Sequence, residues 1–346
     1  MSELGLGQAV CDVCPHHCRI SEGKIGRCRA RGVRNGKVIS LNYGIATSLA
    51  LDPIEKKPLA RFQPGSRILS YGSYGCNLNC PFCQNWEISM SDGSGYQPEE
   101  KNFNRIPPEM LAEAAEQLRE KGNIGVAFTY NEPLISYEYV LDTARLLREK
   151  NLSVVLVTNG CVSENTADAV LPYVDALNID LKSFREDIYR KTLGGDLEAV
   201  KRFIRKASEL CHVELTSLIV PGMNDTEDEI FQMARWIASL PNGKEIPLHI
   251  TRFFPRYKIL DKKPTERSVI LHRVDVAGKY LKYVYPGNLY GSHGRFRSSV
   301  RTALPESRCR NEKRDSTKLQ VLCYNENRKR EHPEDAGKMP EKRIIG

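Results

Sequence analysis

Residues 67–83 read RILSYGSYGCNLNCPFC and combine a short apolar run with a loop that carries three cysteines. The run Arg67–Tyr71 is a strand candidate, and the loop places Cys76, Cys80 and Cys83 in a Cx3Cx2C spacing. Three thiolates on one tight loop can bind three corners of a cubane iron–sulfur cluster and leave the fourth iron open to a substrate. A zinc knuckle completed by a distant Cys or His is the alternative. The spacing favours the cluster.

Five further apolar runs follow this strand, and amphipathic stretches alternate with them. The strand candidates are Ile124–Thr129, Ser153–Val157, Ala176–Leu181, Val213–Val220 and Pro247–Phe253. The helix candidates are Pro107–Lys121, Leu134–Lys150, Glu164–Pro172, Glu186–Leu210, Thr226–Leu240 and Thr265–Leu281. Six β/α units predict an open doubly wound sheet or a full or partial barrel. No GxGxxG follows the first strand, so we favour an α/β fold of the partial (β/α)6 TIM-like type, with its active site at the carboxyl ends of the strands.

Composition divides the chain into three regions. Residues 1–62 form a Cys-rich amino-terminal module, residues 63–290 a core domain, and residues 291–346 a polar, charged tail that we expect to be mostly disordered. A shift of reading frame in the gene is one hypothesis for the abrupt change at the tail. The residues from Arg295 onward supply +6 of the net charge of +8. The remaining body carries only +2, which does not argue for a polyanionic partner, and we expect no nucleic-acid partner.

The chain shows no feature of export or membrane insertion. No apolar run reaches the length that spans a bilayer, and the first residues lack a basic start followed by an apolar stretch. We therefore expect a cytoplasmic protein without membrane contact. Its 11 cysteines are then unsuited to a disulfide framework, which favours metal binding for the clustered ones.

Four cysteines form a second cluster near the amino terminus. Cys11, Cys14, Cys18 and Cys28 follow a Cx2Cx3Cx9C spacing. Four thiolates can close a zinc site or hold a second iron–sulfur cluster, and the spacing does not decide between them. The neighbouring His16 and His17 are possible substitute ligands, but we expect them on the surface.

Polar residues stand where the next strands end. Tyr130-Asn131-Glu132-Pro133 follows the second strand, and a carboxylate there can accept hydrogen bonds from an ammonium group. Glu132 can also cap the helix that starts at the proline. The third strand ends in Thr158-Asn159-Gly160.

The fourth and sixth strands carry further candidates. Strand alternation places Asn178, Asp180 and Lys182 on one face, which we expect to be the barrel interior. Charges on an inward face need partners, so an active-site role is favoured over a structural one. His249 on the sixth strand is either structural or a contact of substrate or cofactor.

The cysteine loop resembles the signature of the radical S-adenosylmethionine (SAM) superfamily. That resemblance implies a [4Fe–4S] cluster on Cys76, Cys80 and Cys83, with the amino and carboxylate groups of SAM on the open iron. An electron from the cluster then cleaves SAM to methionine and a 5′-deoxyadenosyl radical, which abstracts hydrogen from substrate. Phe82 would flank the adenine, and Asn131 and Glu132 resemble the motif that binds the SAM amino group.

Two closer resemblances extend this assignment. Thr158, Asn178, Asp180 and Lys182 lie in motifs similar to those that line the SAM site in activating enzymes of glycyl radical enzymes, such as pyruvate formate-lyase. Val157 stands where those enzymes often have an Asp, which puts a bound monovalent cation in doubt. The early cysteines, with residues 52–59, 128–133 and 283–288, resemble the radical SAM enzymes of the AmmeMemoRadiSam system.

These resemblances imply an oxidoreductase or protein-modifying enzyme that abstracts hydrogen from a protein or peptide. Catalytic roles then fall to the three cluster cysteines, Lys182 and His249. The implied partners are an electron donor such as flavodoxin or ferredoxin, and Memo-type and AMMECR-type proteins. A radical enzyme acting on a small metabolite and a non-catalytic metal-binding scaffold are the alternatives.

Overall fold

The computed structural model describes residues 7–93 and 105–289. Two small antiparallel sheets come first, β1 (Gln8–Val10) with β2 (Arg19–Ser21) and β3 (Arg31–Arg34) with β4 (Lys37–Ser40). The main sheet comprises β5 (Ser48–Pro53), β6 (Arg67–Gly72), β7 (Asn123–Phe128), β8 (Ser153–Thr158), β9 (Ala176–Asp180), β10 (His212–Ile219), β11 (Leu248–Arg252) and β12 (Val284–Gly287). The helices are α1 (Trp86–Ser89), α2 (Pro108–Gln117), α3 (Tyr137–Glu149), α4 (Glu164–Val170), α5 (Leu197–Leu210), α6 (Glu227–Ala238) and α7 (Arg267–Gly278).

The main sheet runs in chain order from β5 at one edge to β12 at the other. Strands β6 to β12 are parallel, whereas β5 pairs antiparallel with β6. The predicted α/β fold and all six predicted strands are confirmed. The sheet also has two strands that were not predicted. β5 lies in the Cys-rich segment and β12 has only four residues, so neither shows an extended apolar run.

One predicted helix is divided in two. Residues 186–210 were predicted as a single helix, but a π-helix over Ile188–Leu193 ends at Gly194, and α5 begins only at Leu197. Gly194 has a φ of +69°, which favours glycine and ends a helix. Asp196 then caps α5 by accepting a hydrogen bond from the backbone N–H of Ala199.

The two faces of the main sheet are buried by different parts of the chain. Alternate residues such as Leu69, Phe128 and Leu156 pack with the helices in the main core. On the inner face, a segment that we call the floor segment (residues 54–62) covers the sheet. Its Ile54 and Leu59 are fully buried in a cluster with one residue from each of four strands, namely Ile68, Ala127, Val155 and Ala176.

Two predictions about domains remain predictions. The boundary proposed at residue 62 follows β5, although β5 already pairs with β6 of the main sheet. The disorder predicted for residues 291–346 concerns a part of the chain outside the described residues. No helix within residues 7–93 and 105–289 is both long and apolar enough to cross a bilayer.

Candidate functional site

The cysteine loop leaves β6 at its carboxyl end and turns at Gly75. This glycine has a φ of +85°, and a Cβ there would lie 2.6 Å from the carbonyl oxygen of Cys28, so a larger residue would not fit. Beyond the turn, Cys80 is buried and Cys76 and Cys83 are half-buried. All three are free thiols.

The three thiols are close enough to influence one another. Burial raises the pKa of Cys76 well above its ordinary value, and the Glu132, Cys80 and Cys83 charges add to the rise. Burial also raises the pKa of Cys80 to about 12, although Lys182 opposes that rise. Neutral thiols are therefore favoured until a metal supplies positive charge and displaces the protons.

The three thiols are the kind of donor that a four-iron cluster requires. Among residues 7–93 and 105–289, no three His, Cys, Asp or Glu side chains are arranged to hold one metal ion. In a four-iron cluster, each thiolate binds a different iron, so the ligands need not converge on one point. Three mutually close thiols on one loop match that requirement. The Cys76 sulfur also accepts hydrogen bonds from Leu78 N (3.4 Å) and Asn159 Nδ2 (3.6 Å).

Glu132 is buried beside this loop and accepts hydrogen bonds only from neutral donors. They are the Thr158 hydroxyl (2.7 Å), the Asn159 backbone N–H (2.7 Å) and the Leu134 backbone N–H (3.0 Å). The bond to Leu134 caps a 3-10 helix over Pro133–Ser136, as the sequence predicted. Burial raises the pKa of Glu132 to about 7. A bound cation would offset the burial of the carboxylate charge, so Glu132 is suited to bind one.

Asn131 secures the start of the cysteine loop. Its Oδ1 accepts from the Ser73 backbone N–H at 3.1 Å, and its Nδ2 donates to the carbonyls of Tyr74 and Gly75 at 3.1 Å each. The side-chain amide therefore joins the end of β7 to the loop.

Tyr130 adopts the backbone conformation that favours glycine, with a φ of +72°. Its ring lies against Gly72, where a Cβ would come within 2.6 Å of Tyr130 Cδ2. Its hydroxyl donates to Asp52 (2.9 Å), and the Lys57 ammonium lies 4.7 Å from the ring centroid. These contacts hold a strained residue directly before the predicted SAM contacts.

Asp180 and Lys182 form an ion pair next to the thiols, with 2.7 Å between Lys182 Nζ and Asp180 Oδ2. Although burial opposes the charged form, the negative charges of Asp180 and Cys80 raise the pKa of Lys182. A permanent positive charge therefore lies beside Cys80.

Asn178 and His249 lie with the floor segment rather than with the thiols. Asn178 donates to the Pro58 carbonyl (2.8 Å) and accepts from Thr216 (3.0 Å), so both of its polar atoms are engaged. His249 Nε2 lies 2.6 Å from Glu214, and its ring lies 5.3 Å from that of Tyr285. Their assignment to SAM or substrate remains a prediction.

Sequence reasoning missed Asn77, whose side chain is fully buried behind the cysteines. Its Nδ2 donates to the Cys161 carbonyl (2.6 Å), and its Oδ1 accepts from Asn159 (2.9 Å). An asparagine inside a Cys motif is the available signal, although asparagine is common in turns. Phe82 is buried in the main core.

The amino-terminal cysteines pack near this site. Cys11, Cys14 and Cys28 are buried, and Cys18 is half-buried. Burial raises the pKa of Cys14 to about 12, and the Cys28, Cys11 and Cys161 thiols contribute to the rise. Three of the four predicted ligands are thus close neighbours. A metal on them remains a prediction.

Comparison with known proteins agrees with this geometry. Residues 70–237 match the model of the Radical SAM superfamily. An uncharacterised protein of Methanocaldococcus jannaschii is 39% identical over 286 residues, which is 82% of each chain. The pyruvate formate-lyase-activating enzyme of Clostridium pasteurianum is 24% identical over 54% of this chain and 75% of its own. The 7-carboxy-7-deazaguanine synthase of M. jannaschii is 24% identical over 63% of this chain and 87% of its own.

The matched region contains the cysteine loop, Glu132 and the Asp180–Lys182 pair, and it ends within α6. Members of this superfamily are enzymes that use an iron–sulfur cluster and SAM. The chain therefore belongs to the radical SAM superfamily.

Proposed function

We propose that Cys76, Cys80 and Cys83 hold a [4Fe–4S] cluster and that the enzyme abstracts hydrogen from a protein or peptide. When bound, the reduced cluster supplies the electron that cleaves SAM to methionine and a 5′-deoxyadenosyl radical. The observation that carries this proposal is the position of Glu132, a buried carboxylate with only neutral hydrogen-bond donors, next to three mutually close thiols.

Glu132 would hold the amino group of SAM. A bound ammonium would offset the burial that raises the pKa of Glu132 to about 7 and would favour its ionised form. Thr158 and the Asn159 backbone keep the carboxylate in place through their hydrogen bonds of 2.7 Å. Asn131 would hold the cysteine loop in a fixed position relative to the SAM pocket.

The remaining side chains would position SAM and substrate. Phe82 would flank the adenine from within the cysteine loop. Asp180 would bind a donor group of SAM and orient Lys182, whose charge would stabilise the thiolate-bound cluster. His249 would face the substrate from the inner face of the sheet. Its ring is held there by Glu214, whose Oε2 lies 2.6 Å from His249 Nε2.

A protein or peptide substrate is favoured by two features. The main sheet is open, because its edges are β5 and β12 and not a closed ring, and an open side admits a large substrate. The similarity to the pyruvate formate-lyase-activating enzyme supports the same class. An electron donor such as flavodoxin or ferredoxin would reduce the cluster, and Memo-type and AMMECR-type proteins are the proposed partners within an AmmeMemoRadiSam system.

A radical enzyme of small-molecule metabolism is the second candidate. The similarity to 7-carboxy-7-deazaguanine synthase, at the same 24% identity, supports it. A non-catalytic scaffold would have no use for a buried, incompletely compensated Glu132.

The test is release of 5′-deoxyadenosine after anaerobic reconstitution with iron and sulfide and reduction in the presence of SAM. The native chain should release it, and Cys80→Ala should not. Cys211→Ala is the matched control, because Cys211 is half-buried between α5 and β10 and should leave release unchanged. Equal release by the native chain and Cys80→Ala would refute the proposal.

A further inference from the structure

The amino-terminal cysteines lie directly behind the proposed cluster loop. The Cys76 backbone N–H donates to the Cys28 carbonyl at 3.2 Å, so the two cysteine groups meet at one backbone hydrogen bond. His16 Nε2 lies 2.9 Å from the carbonyl oxygen of Asn77, and Arg29 donates to Asn79 Oδ1 at 3.1 Å. Three contacts therefore join the Cys-rich module to residues 76–79.

A second path connects the thiols themselves. Cys14 interacts electrostatically with Cys161, Cys161 with Glu132, and Glu132 with Cys76. Cys161 is fully buried between the two cysteine groups, and Asn77 donates to its carbonyl oxygen. A buried thiol and its hydrogen-bond partner Asn77 therefore lie between the groups.

A buried arginine beside Cys11 lacks a partner for one of its N–H groups. Arg31 is 4% exposed, and its Nη1 is paired with Glu138 at 2.7 Å. Its Nε is buried with no hydrogen-bond partner among the described residues. The Arg31 guanidinium interacts with Cys11, and this is the arrangement that donates a hydrogen bond to a sulfur of a negatively charged metal–thiolate group.

We propose that Cys11, Cys14, Cys18 and Cys28 hold a second iron–sulfur cluster, which passes single electrons to the cluster on Cys76, Cys80 and Cys83. One electron enters from a one-electron donor protein and leaves for the neighbouring cluster, and no bond is formed or broken in this transfer. Zinc has no redox chemistry, and a purely structural crosslink gains nothing from direct contact with the cluster loop. The inference rests on the proposed function, since the electron needs a first cluster to receive it.

Iron content separates the inference from the proposed function. The reconstituted native chain should bind about eight iron atoms, and Cys76→Ala/Cys80→Ala/Cys83→Ala and Cys14→Ser/Cys28→Ser should each bind about four. Cys211→Ala should match the native chain. If only the triple variant keeps all of its iron, the proposed function fails. If only the double variant keeps it, or if the native chain holds zinc at the module, the inference is overturned.

Electron paramagnetic resonance tests the transfer. In Cys14→Ser/Cys28→Ser, SAM should still perturb the remaining signal, while reduction of that cluster by flavodoxin should slow by about tenfold or more. An unchanged rate of reduction would overturn the transfer of electrons through the module.

Redox potential gives a test that does not depend on losing a ligand. Arg31→Gln removes a positive charge and a donor, so it should lower the midpoint potential of the second cluster and leave that of the first unchanged. Glu138→Gln is the matched control, because it breaks the same ion pair but keeps the guanidinium, and it should not lower that potential. A shift of the same sign in both variants, or in neither, would contradict the role given to Arg31.

Discussion

Two buried glutamates of the main sheet region have opposite electrostatic surroundings. Glu132, after β7, accepts from neutral donors only, and burial raises its pKa to about 7. Glu214, on β10, accepts from His212 (3.0 Å), His249 (2.6 Å) and the backbone N–H groups of Ala60 and Arg61. Burial would raise the pKa of Glu214, but these partners overcome it and lower that pKa to about 2.

From this difference we infer that Glu214 is a structural carboxylate, and we propose that Glu132 is a functional one. Glu214 is fully compensated within the chain and holds the floor segment against the sheet. Glu132 is equally buried, but its hydrogen bonds do not fully offset the burial of its charge. Such an unfavourable burial is typical of a site where a ligand supplies the missing positive charge. The following predictions test this division.

Removing Glu214 should have the largest effect on stability. Glu214→Ala leaves two backbone N–H groups and two histidines without their acceptor, so the free energy of unfolding should fall by about 3–5 kcal/mol. Urea denaturation at pH 7 measures it. Glu227→Ala removes an exposed carboxylate paired with His272 and should lower the free energy of unfolding far less. A loss at Glu214 as small as that would show that the floor segment does not depend on it.

The stability conferred by Glu132 should depend on pH with the opposite sign to that of an ordinary ion pair. Its pKa of about 7 lies above the ordinary 4.5, so the folded chain binds the proton more tightly, and the folded state loses stability as the pH rises from 4.5 to 7. Glu132→Gln should therefore gain up to about 3 kcal/mol relative to the native chain between pH 4.5 and pH 8. Glu113→Gln, on the exposed face of α2, is the control. A pH-independent difference would contradict the raised pKa.

The affinity for SAM should separate the two glutamates. Glu132→Gln should weaken binding about 10–100-fold, since a charge-assisted hydrogen bond to the SAM amino group is lost. Glu214→Gln should stay within about twofold. Calorimetry on reconstituted protein measures both, and equal losses would show that the two carboxylates do not differ in role.

Tyr130, which joins the turn before Glu132 to Asp52, should have a smaller effect on the free energy of unfolding. Tyr130→Phe removes the hydrogen bond to the buried Asp52 and should lower the free energy of unfolding by about 1.5 kcal/mol. Tyr280→Phe keeps the edge contact of a half-buried ring with Phe231 and should change it little. If the two substitutions lower the free energy of unfolding equally, the hydrogen bond to Asp52 does not stabilise the strained turn.

Local patterns predicted much of the fold and the centre of the site. The spacing of Cys76, Cys80 and Cys83 and the six apolar strands are properties of short segments. Alternation also placed Asn178 and Asp180 on one face of β9. It could not show that Asn178, nearer the start of the strand, contacts the floor segment. The partners of Glu214 at Ala60 and Arg61 are more than 150 residues away in sequence, so no local pattern reveals them.

Tyr130 shows a second limit of sequence reasoning. A glycine is expected where φ is positive, and the tyrosine there becomes understandable only through Asp52, Lys57 and Gly72, which surround it in three dimensions. The amino-terminal cysteines were visible as metal ligands, but their contact with residues 76–79 was not.

The most direct test of a SAM-binding cluster at the carboxyl end of the sheet is paramagnetic resonance of the reduced, reconstituted Cys14→Ser/Cys28→Ser variant. Addition of SAM should change the signal of the remaining cluster, and the further replacement Glu132→Gln should require a higher SAM concentration for the same change. A cluster signal that ignores SAM at saturating concentration, or a chain that binds zinc and no iron, would contradict the account.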